Sequence, residues 1–275
     1  MNVRHSGIGM TSQRTRMRMI ERLRAQGISD EVILSVIGTI PRHIFVEEAL
    51  ASRAYEDVSL PINYGQTISS PWIVARMSEL LRANSNLDKV LEIGTGCGYQ
   101  TAVLAQIAQK VYSIERIGPL LTRTRIRLQE LQIRNVYLKH ADGLLGLAEA
   151  GPFDGIIMTA VTTHVPLSLV EQLVVGGRMV FPKGTQKQNL CIIERNSQGY
   201  TETVLEEVNF VPLLAGGTFR LDHRLCFMAP SQTGYLCPLK FLIFDIRHIN
   251  IQQNRTLNLI FFETNDHISC YTRCR

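Results

Sequence analysis

Two groups of residues have the types and spacing to do chemistry. The first is Glu92-Ile93-Gly94-Thr95-Gly96-Cys97-Gly98, three glycines at alternate positions directly after the apolar run Val90, Leu91, Ile93. Such a loop turns sharply and lets a ligand approach the backbone with no side chain in the way. A helical pattern (Tyr99, Val103, Leu104, Ile107, Ala108) follows at once. Strand, glycine turn and helix together suit an adenosine-containing cofactor. Two acids follow at the right intervals. Glu115 closes the next apolar run, 21 residues after Gly94, where a carboxylate can bridge ribose hydroxyls; Asp142-Gly143 follows the third run, where Asp142 can accept from an adenine amino group. The competing readings are a surface acid ending a strand for Glu115 and a plain turn for Asp142-Gly143.

The second group is Tyr64-Gly65-Gln66-Thr67-Ile68-Ser69-Ser70-Pro71-Trp72. Serine before proline is the expected start of a helix. Ser69 and Ser70 add hydroxyls beside backbone N–H groups at that helix N-terminus, an anion site suited to a carboxylate. A well-capped helix accounts for Ser70-Pro71 but not for Gly65 to Ser69.

The glycine spacing bears on which cofactor. The dinucleotide fingerprint needs Gly-x-Gly-x-x-Gly, and here the third glycine is one residue early. A phosphate cradle of the Gly-Lys-Ser/Thr type is absent. An acidic residue, Glu92, before Gly-x-Gly-x-Gly suits an uncharged or cationic ligand better than a phosphate. The pattern resembles the S-adenosylmethionine loop of class I methyltransferases.

The elements that must position these groups alternate. Helices are expected from Ser12 to Gly27, from Ser29-Asp30 to Thr39, from Arg42 to Ala54 and from Pro71 to Leu81. Strands over 89–93, 110–115, 135–139, 153–159 and 178–181 alternate with helices over 99–109, 119–131 and 166–173. This predicts an α/β fold, a doubly wound, mostly parallel sheet with helices on both faces. Residues 190–195 and 200–211 then read as an antiparallel hairpin. The expected divisions are a disordered lead over 1–10 and a domain over 11–220, with a helical substrate module (11–82) and a Rossmann-like core (83–220). A C-terminal extension over 221–275 is poorly periodic, with one candidate strand at 239–246 and no functional motif.

Composition narrows the class. The 275 residues are 45% hydrophobic and 19% charged, with net charge +5, as expected of a globular chain. The basic cluster Arg14, Arg16, Arg18, Arg22, Arg24 interleaves with Met17, Ile20 and Leu23 at helical spacing and has no aromatic partners, so it reads as a solvated helix face rather than a nucleic-acid patch. No run is long enough to span a membrane, and the N-terminus lacks a signal-peptide core. A cytoplasmic monomer with no membrane or nucleic-acid partner is expected. The six cysteines are scattered, and Cys270-x-x-x-Cys274 has no matching half-site, so free thiols are expected rather than a metal.

Gly65-Gln66-Thr67-Ile68-Ser69-Ser70-Pro71 resembles the signature of protein-L-isoaspartate O-methyltransferases of the bacterial type. The resemblance runs over about residues 11–217. It includes Pro41-Arg42-x-x-Phe45-Val46, Leu60-Pro61-Ile62, the glycine loop, Ser113-Ile114-Glu115-Arg116, Asp142-Gly143, Pro152 to Ile157, Gly176-Gly177 and Phe210-Val211-Pro212-Leu213. It implies methyl transfer from S-adenosylmethionine to the free α-carboxylate of L-isoaspartyl residues in damaged proteins and peptides, whose esters then collapse to succinimides. By this resemblance Ser69 is the active-site serine, with Thr67, Ile68 and Ser70 beside it in the substrate segment. Glu92, Gly94, Gly96, Glu115, Asp142 and Gly143 then fall to the cofactor. The loop Ala160-Val161-Thr162-Thr163-His164-Val165-Pro166 departs from the family's pattern of early prolines, and His164 reads as a solvent-exposed loop residue.

Three other readings remain open from the residues. A class I methyltransferase of RNA or a small molecule would usually carry Asp/Asn-Pro-Pro-Tyr/Phe where this chain has Thr159-Ala160-Val161-Thr162. A homologue that binds cofactor without turnover, and a nicotinamide dehydrogenase, complete the set.

Overall fold

In the computed structural model, residues 7–83 and 86–214 are described, together with the backbone of 259–264 and 267–272. The chain divides into two units, Met1–Leu221 and Asp222–Arg275. The second contains an antiparallel pair, Leu259–Thr264 with His267–Thr272. The candidate strand at 239–246 lies outside the described residues.

The first unit begins with α1 (Gln13–Ala25) and α2 (Glu31–Thr39). Asp30 caps α2 by accepting from Val32 and Ile33 backbone N–H at 2.9 and 3.3 Å. Residues 7–11 are not formless: Gly9–Thr11 form a 3-10 turn in which Thr11 Oγ1 accepts from Ile8 N. The expected helix from Arg42 to Ala54 is replaced by two 3-10 turns, Arg42–Phe45 and Glu48–Arg53, with Val46 extended between them. The cause is tertiary. The Arg42 side chain is drawn fully inside and donates to the Ala54 carbonyl, so the segment folds back upon its own first residue.

Two short strands, β1 (Leu60–Pro61) and β2 (Thr67–Ile68), pair antiparallel around the Asn63–Gly65 bend. They deliver the chain to α3 (Pro71–Arg82). The seven-stranded sheet follows: β3 (Leu87–Ile93), β4 (Ala108–Glu115), β5 (Val136–His140), β6 (Phe153–Met158), β7 (Leu173–Gly184), β8 (Gln188–Asn196) and β9 (Gly199–Val208). The helices between are α4 (Tyr99–Leu104), α5 (Gly118–Glu130) and α6 (Leu167–Val170). The spatial order is β5-β4-β3-β6-β7-β8-β9. All pairs from β5 to β7 are parallel; β7–β8 and β8–β9 are antiparallel. The expected doubly wound sheet with a terminal hairpin is present.

Several boundaries differ from expectation, two of them for reasons that strand pairing explains. α4 stops at Leu104 because Ala108 already opens β4, paired with Leu87 of β3. β7 starts at Leu173, opposite Phe153, and not at Arg178. The register then slips, so that Arg178 faces Gly155. Gly176, at φ +85°, makes this bulge possible, and a Cβ on Gly177 would lie 2.9 Å from the Val174 carbonyl oxygen.

Strand alternation partitions the core. Leu91 and Ile93 pack with Ile114, Ile156, Met158 and Phe181 on one face. Val90 packs with Val111, Ile157 and Val180 on the other. The chain leaves β3 in one direction through β4 and β5, then returns to its other side as β6. That switch places a crevice at the carboxyl ends of β3 and β6, the usual ligand position in such sheets.

Candidate functional site

The crevice is an open cavity walled by the glycine loop, the Thr67–Ser69 segment and residues 211–214. Its lining includes Thr67, Ile68, Ser69, Gly94, Gly96, Glu115 and Gly143. Seven of the ten residues singled out from the sequence thus meet in one place, contributed by segments from β2 to the turn after β5.

Gly94 leaves β3 at φ +96°, and a Cβ there would sit 2.4 Å from Thr159 Oγ1. The Thr159 hydroxyl lies 2.7 Å from the Gly94 carbonyl and 3.1 Å from that of Ile93, and ties the first glycine to the end of β6. Gly143 is needed for a different reason: a Cβ would meet Ile93 Cγ2 at 2.4 Å. Glu115, 6% exposed, accepts from the Gly96 amide through Oε2 at 2.9 Å and from the Ile117 amide through Oε1 at 2.8 Å. Each oxygen keeps a further lone pair for a ligand hydroxyl. The walls beside it are apolar, Ile114 and Ile117.

Glu92 stands apart from these lining residues. It does not line the cavity; it is fully buried behind the glycine loop. Alternation puts its side chain on the Val90 face, against α4, where Oε2 accepts from Thr101 and Ser113 hydroxyls at 2.5 Å each. Thr95 Oγ1 in turn lies 2.6 Å from Ser113 Oγ. Oε1 has no hydrogen-bond partner among the described residues. Burial outweighs both hydroxyl bonds, and the carboxyl is pushed up to about 8.

Asp142 is likewise not among the residues that line the cavity. Its Oδ1 accepts from Leu144 N at 3.0 Å and caps the 3-10 turn Gly143–Leu145, leaving Gly143 as the lining residue.

The substrate segment is sorted by which hydroxyl is already used. Ser70 Oγ accepts from Ile73 N at 3.4 Å, the helix cap expected of Ser70-Pro71. Trp72 N donates to Asp57 Oδ1 at 3.0 Å. The first turn of α3 therefore has no amide left over for an anion, contrary to expectation, because Pro71 has none and its neighbours are taken. Ser69 Oγ, by contrast, makes no hydrogen bond within the described residues, and Ser69 lines the cavity.

Two residues given no role from the sequence complete the site. Thr159 braces the glycine loop. Arg42, 0% exposed, donates from Nη2 to the Ser69 carbonyl at 2.6 Å and from Nε to the Ala54 carbonyl at 2.7 Å. Its guanidinium lies 4.8 Å from the centre of the Tyr99 ring, and Tyr99 also lines the cavity. Pro41-Arg42 was legible as a motif, but its inward direction was not. Val211 to Leu214 close another part of the wall, held by Val161 N donating to Val211 O and Leu213 N to Val161 O. No described histidine lines the cavity; His164 is exposed, as expected, with Nδ1 2.9 Å from Thr163 Oγ1.

The protein-L-isoaspartate(D-aspartate) O-methyltransferase (PCMT) family matches residues 14–217. A protein-L-isoaspartate O-methyltransferase of Nitrosomonas eutropha is 74% identical over 218 residues, 78% of this chain and 98% of that protein. One from Methylobacillus flagellatus is 61% identical over 215 residues, 77% of this chain and 96% of that protein. A solved protein-L-isoaspartate O-methyltransferase superposes with a TM-score of 0.66 at 28% identity, over 74% of this chain and 66% of its own. A Plasmodium falciparum β-aspartate methyltransferase in complex with S-adenosyl-L-homocysteine shares the fold, with a TM-score of 0.64 at 24% identity over 72% of this chain and 98% of its own. The chain therefore belongs to the protein-L-isoaspartate O-methyltransferase family.

Proposed function

We propose that the cavity brings together S-adenosylmethionine, held by Gly94, Gly96 and Glu115 with Gly143 at its margin, and the free α-carboxylate of an L-isoaspartyl residue, oriented by the Ser69 hydroxyl within the Thr67–Ser69 segment. The chain is, by its family, an S-adenosylmethionine-dependent protein-L-isoaspartate O-methyltransferase that acts in protein repair.

The residues present fit the donor. The glycine loop exposes backbone to the cavity where a side chain at Gly94 would collide, and Glu115 offers lone pairs beside apolar walls. When bound, S-adenosylmethionine supplies a methyl group on a positively charged sulfur. The chain's own task is then mostly positional. A carboxylate of ordinary pKa, roughly 4, is ionised at neutral pH and needs no base to become a nucleophile. Ser69 donates a hydrogen bond that fixes one carboxylate oxygen and leaves the other free to react. Alignment of the two partners and removal of water supply the rate.

The observation that carries this reading is the uncommitted Ser69 hydroxyl on the wall of the cavity that also contains the glycine loop and Glu115. A labelled-methyl assay with an isoaspartyl peptide and its aspartyl twin tests it. Transfer to the isoaspartyl peptide alone is expected; transfer to neither, or equally to both, overturns it. The reading extends to a monomer working in the cytoplasm, checked by sizing the purified protein and by cell fractionation. Among the described residues no helix is long and apolar enough to cross a membrane.

A further inference from the structure

Arg42 is a full positive charge buried in the protein with no carboxylate in ion-pair contact. None of the ion pairs among the described residues includes it. Among the described residues its hydrogen bonds within standard geometry go to two neutral carbonyls, those of Ala54 and Ser69, its Nη1 makes none, and its other close polar neighbour is the neutral Tyr99 side chain. Asp57 acts on it only from a distance and is itself engaged by Trp72 N and Gln26 Nε2. Burial opposes its charge, but a guanidinium does not lose its proton in a protein. A buried unpaired cation is costly, and such a group is normally paired.

The counter-charge missing among the described residues has an evident source. Arg42 lies directly behind two cavity residues, under the Ser69 carbonyl and against the Tyr99 ring. A substrate carboxylate on the Ser69 hydroxyl would be separated from the guanidinium by a single residue. The polarised Ser69 peptide would also stiffen the segment that carries that hydroxyl. An amide in place of the carboxylate would leave the cation uncompensated.

We propose that Arg42 is a positioning residue whose buried charge, acting through the Ser69 peptide, selects the ionised α-carboxylate of the isoaspartyl residue over a neutral group of the same shape. The proposal rests on the methyl-transfer reading above and adds the source of its preference for an anion. It also implies that the neutral ester product is held less tightly than the acid.

The test uses the full chain with S-adenosylhomocysteine, whose sulfur is uncharged, so that any remaining charge preference belongs to the protein. Calorimetry gives the affinity for an isoaspartyl peptide and for the same peptide with its α-carboxylate as a carboxamide. The wild type is expected to favour the acid. Arg42→Gln should reduce that acid-to-amide ratio on the order of tenfold, the size of a charge attraction over several ångströms at an effective dielectric near 20. Arg42→Lys should retain most of it, and affinity for S-adenosylhomocysteine should stay near wild type in both. A merely structural role would weaken acid and amide alike and leave the ratio unchanged, which overturns the proposal. If Arg42→Gln does not fold, the wild type still decides: a buried charge is little screened, so the ratio should persist from low to high salt. A ratio that collapses with salt assigns the preference to surface cations and overturns Arg42's part. A wild type that binds neither peptide overturns the methyl-transfer reading itself.

Discussion

Glu115 accepts the Gly96 amide at 2.9 Å, so the acid at the end of β4 and the glycine loop after β3 form one unit. The same carboxylate holds Ile117 N at the entry to α5. Its removal therefore strips two backbone donors of their acceptor and also removes the ligand's partner. Glu115→Ala is expected to weaken S-adenosylmethionine binding about 10- to 100-fold, the range for hydrogen bonds to a charged group. Isothermal calorimetry measures this, and an unchanged affinity would remove Glu115 from the cofactor site.

Ser69→Ala deletes a hydroxyl that no described residue uses, so the fold should not depend on it. Turnover of an isoaspartyl peptide should fall about 10- to 100-fold, while cofactor affinity stays near that of the wild type. Steady-state kinetics beside a cofactor titration separate the two. Loss of cofactor affinity would show that Ser69 serves the other half of the cavity.

Glu92 gives the stability of this protein a pH dependence of defined sign. In the folded chain its carboxyl is held up to about 8, against an ordinary 4.5. Between those values the unfolded chain releases a proton that the folded one retains. The contribution is complete below about pH 4.5 and is lost as pH rises through about 8. Glu92→Gln keeps acceptors for Thr101 and Ser113 but has no proton to release. Its melting temperature should fall less than that of the wild type from pH 6 to 9, a difference on the order of a few kcal/mol in stability. Parallel pH profiles for the two proteins would contradict this assignment.

The family match ends at residue 217, and the first compact unit ends at Leu221. A chain stopped after Leu221 should fold cooperatively and methylate isoaspartyl peptide at a rate close to that of the full chain. Loss of the thermal transition on truncation would show that residues beyond 221 complete the core.

Local patterning carried much of the architecture. The run Val90 to Ile93 followed by alternate glycines favours a strand that ends in a sharp turn, and Ser70-Pro71 before an apolar periodic run favours a helix start. Patterning failed where a long-range partner chose the outcome. Residues 42–54 have helical spacing, yet the Ala54 carbonyl is claimed by Arg42 and the segment breaks into 3-10 turns. Gly176-Gly177 looked like the gap before a strand, and pairing with β6 turned it into a bulge within one.

The site divides along the same line. The sequence by itself determined which backbone must be bare and where the strands end: Gly94, Gly96, Gly143 and Glu115 are fixed by the period of the chain and by steric limits at each turn. Only the tertiary structure decided direction. It aimed Glu92 at α4 instead of the cavity, gave the Trp72 amide to Asp57, left Ser69 free, and drew Arg42 beneath it. Those outcomes depend on which donor meets which acceptor across 9 to 27 positions of sequence. Such matches join segments far apart in sequence, so no local pattern encodes them.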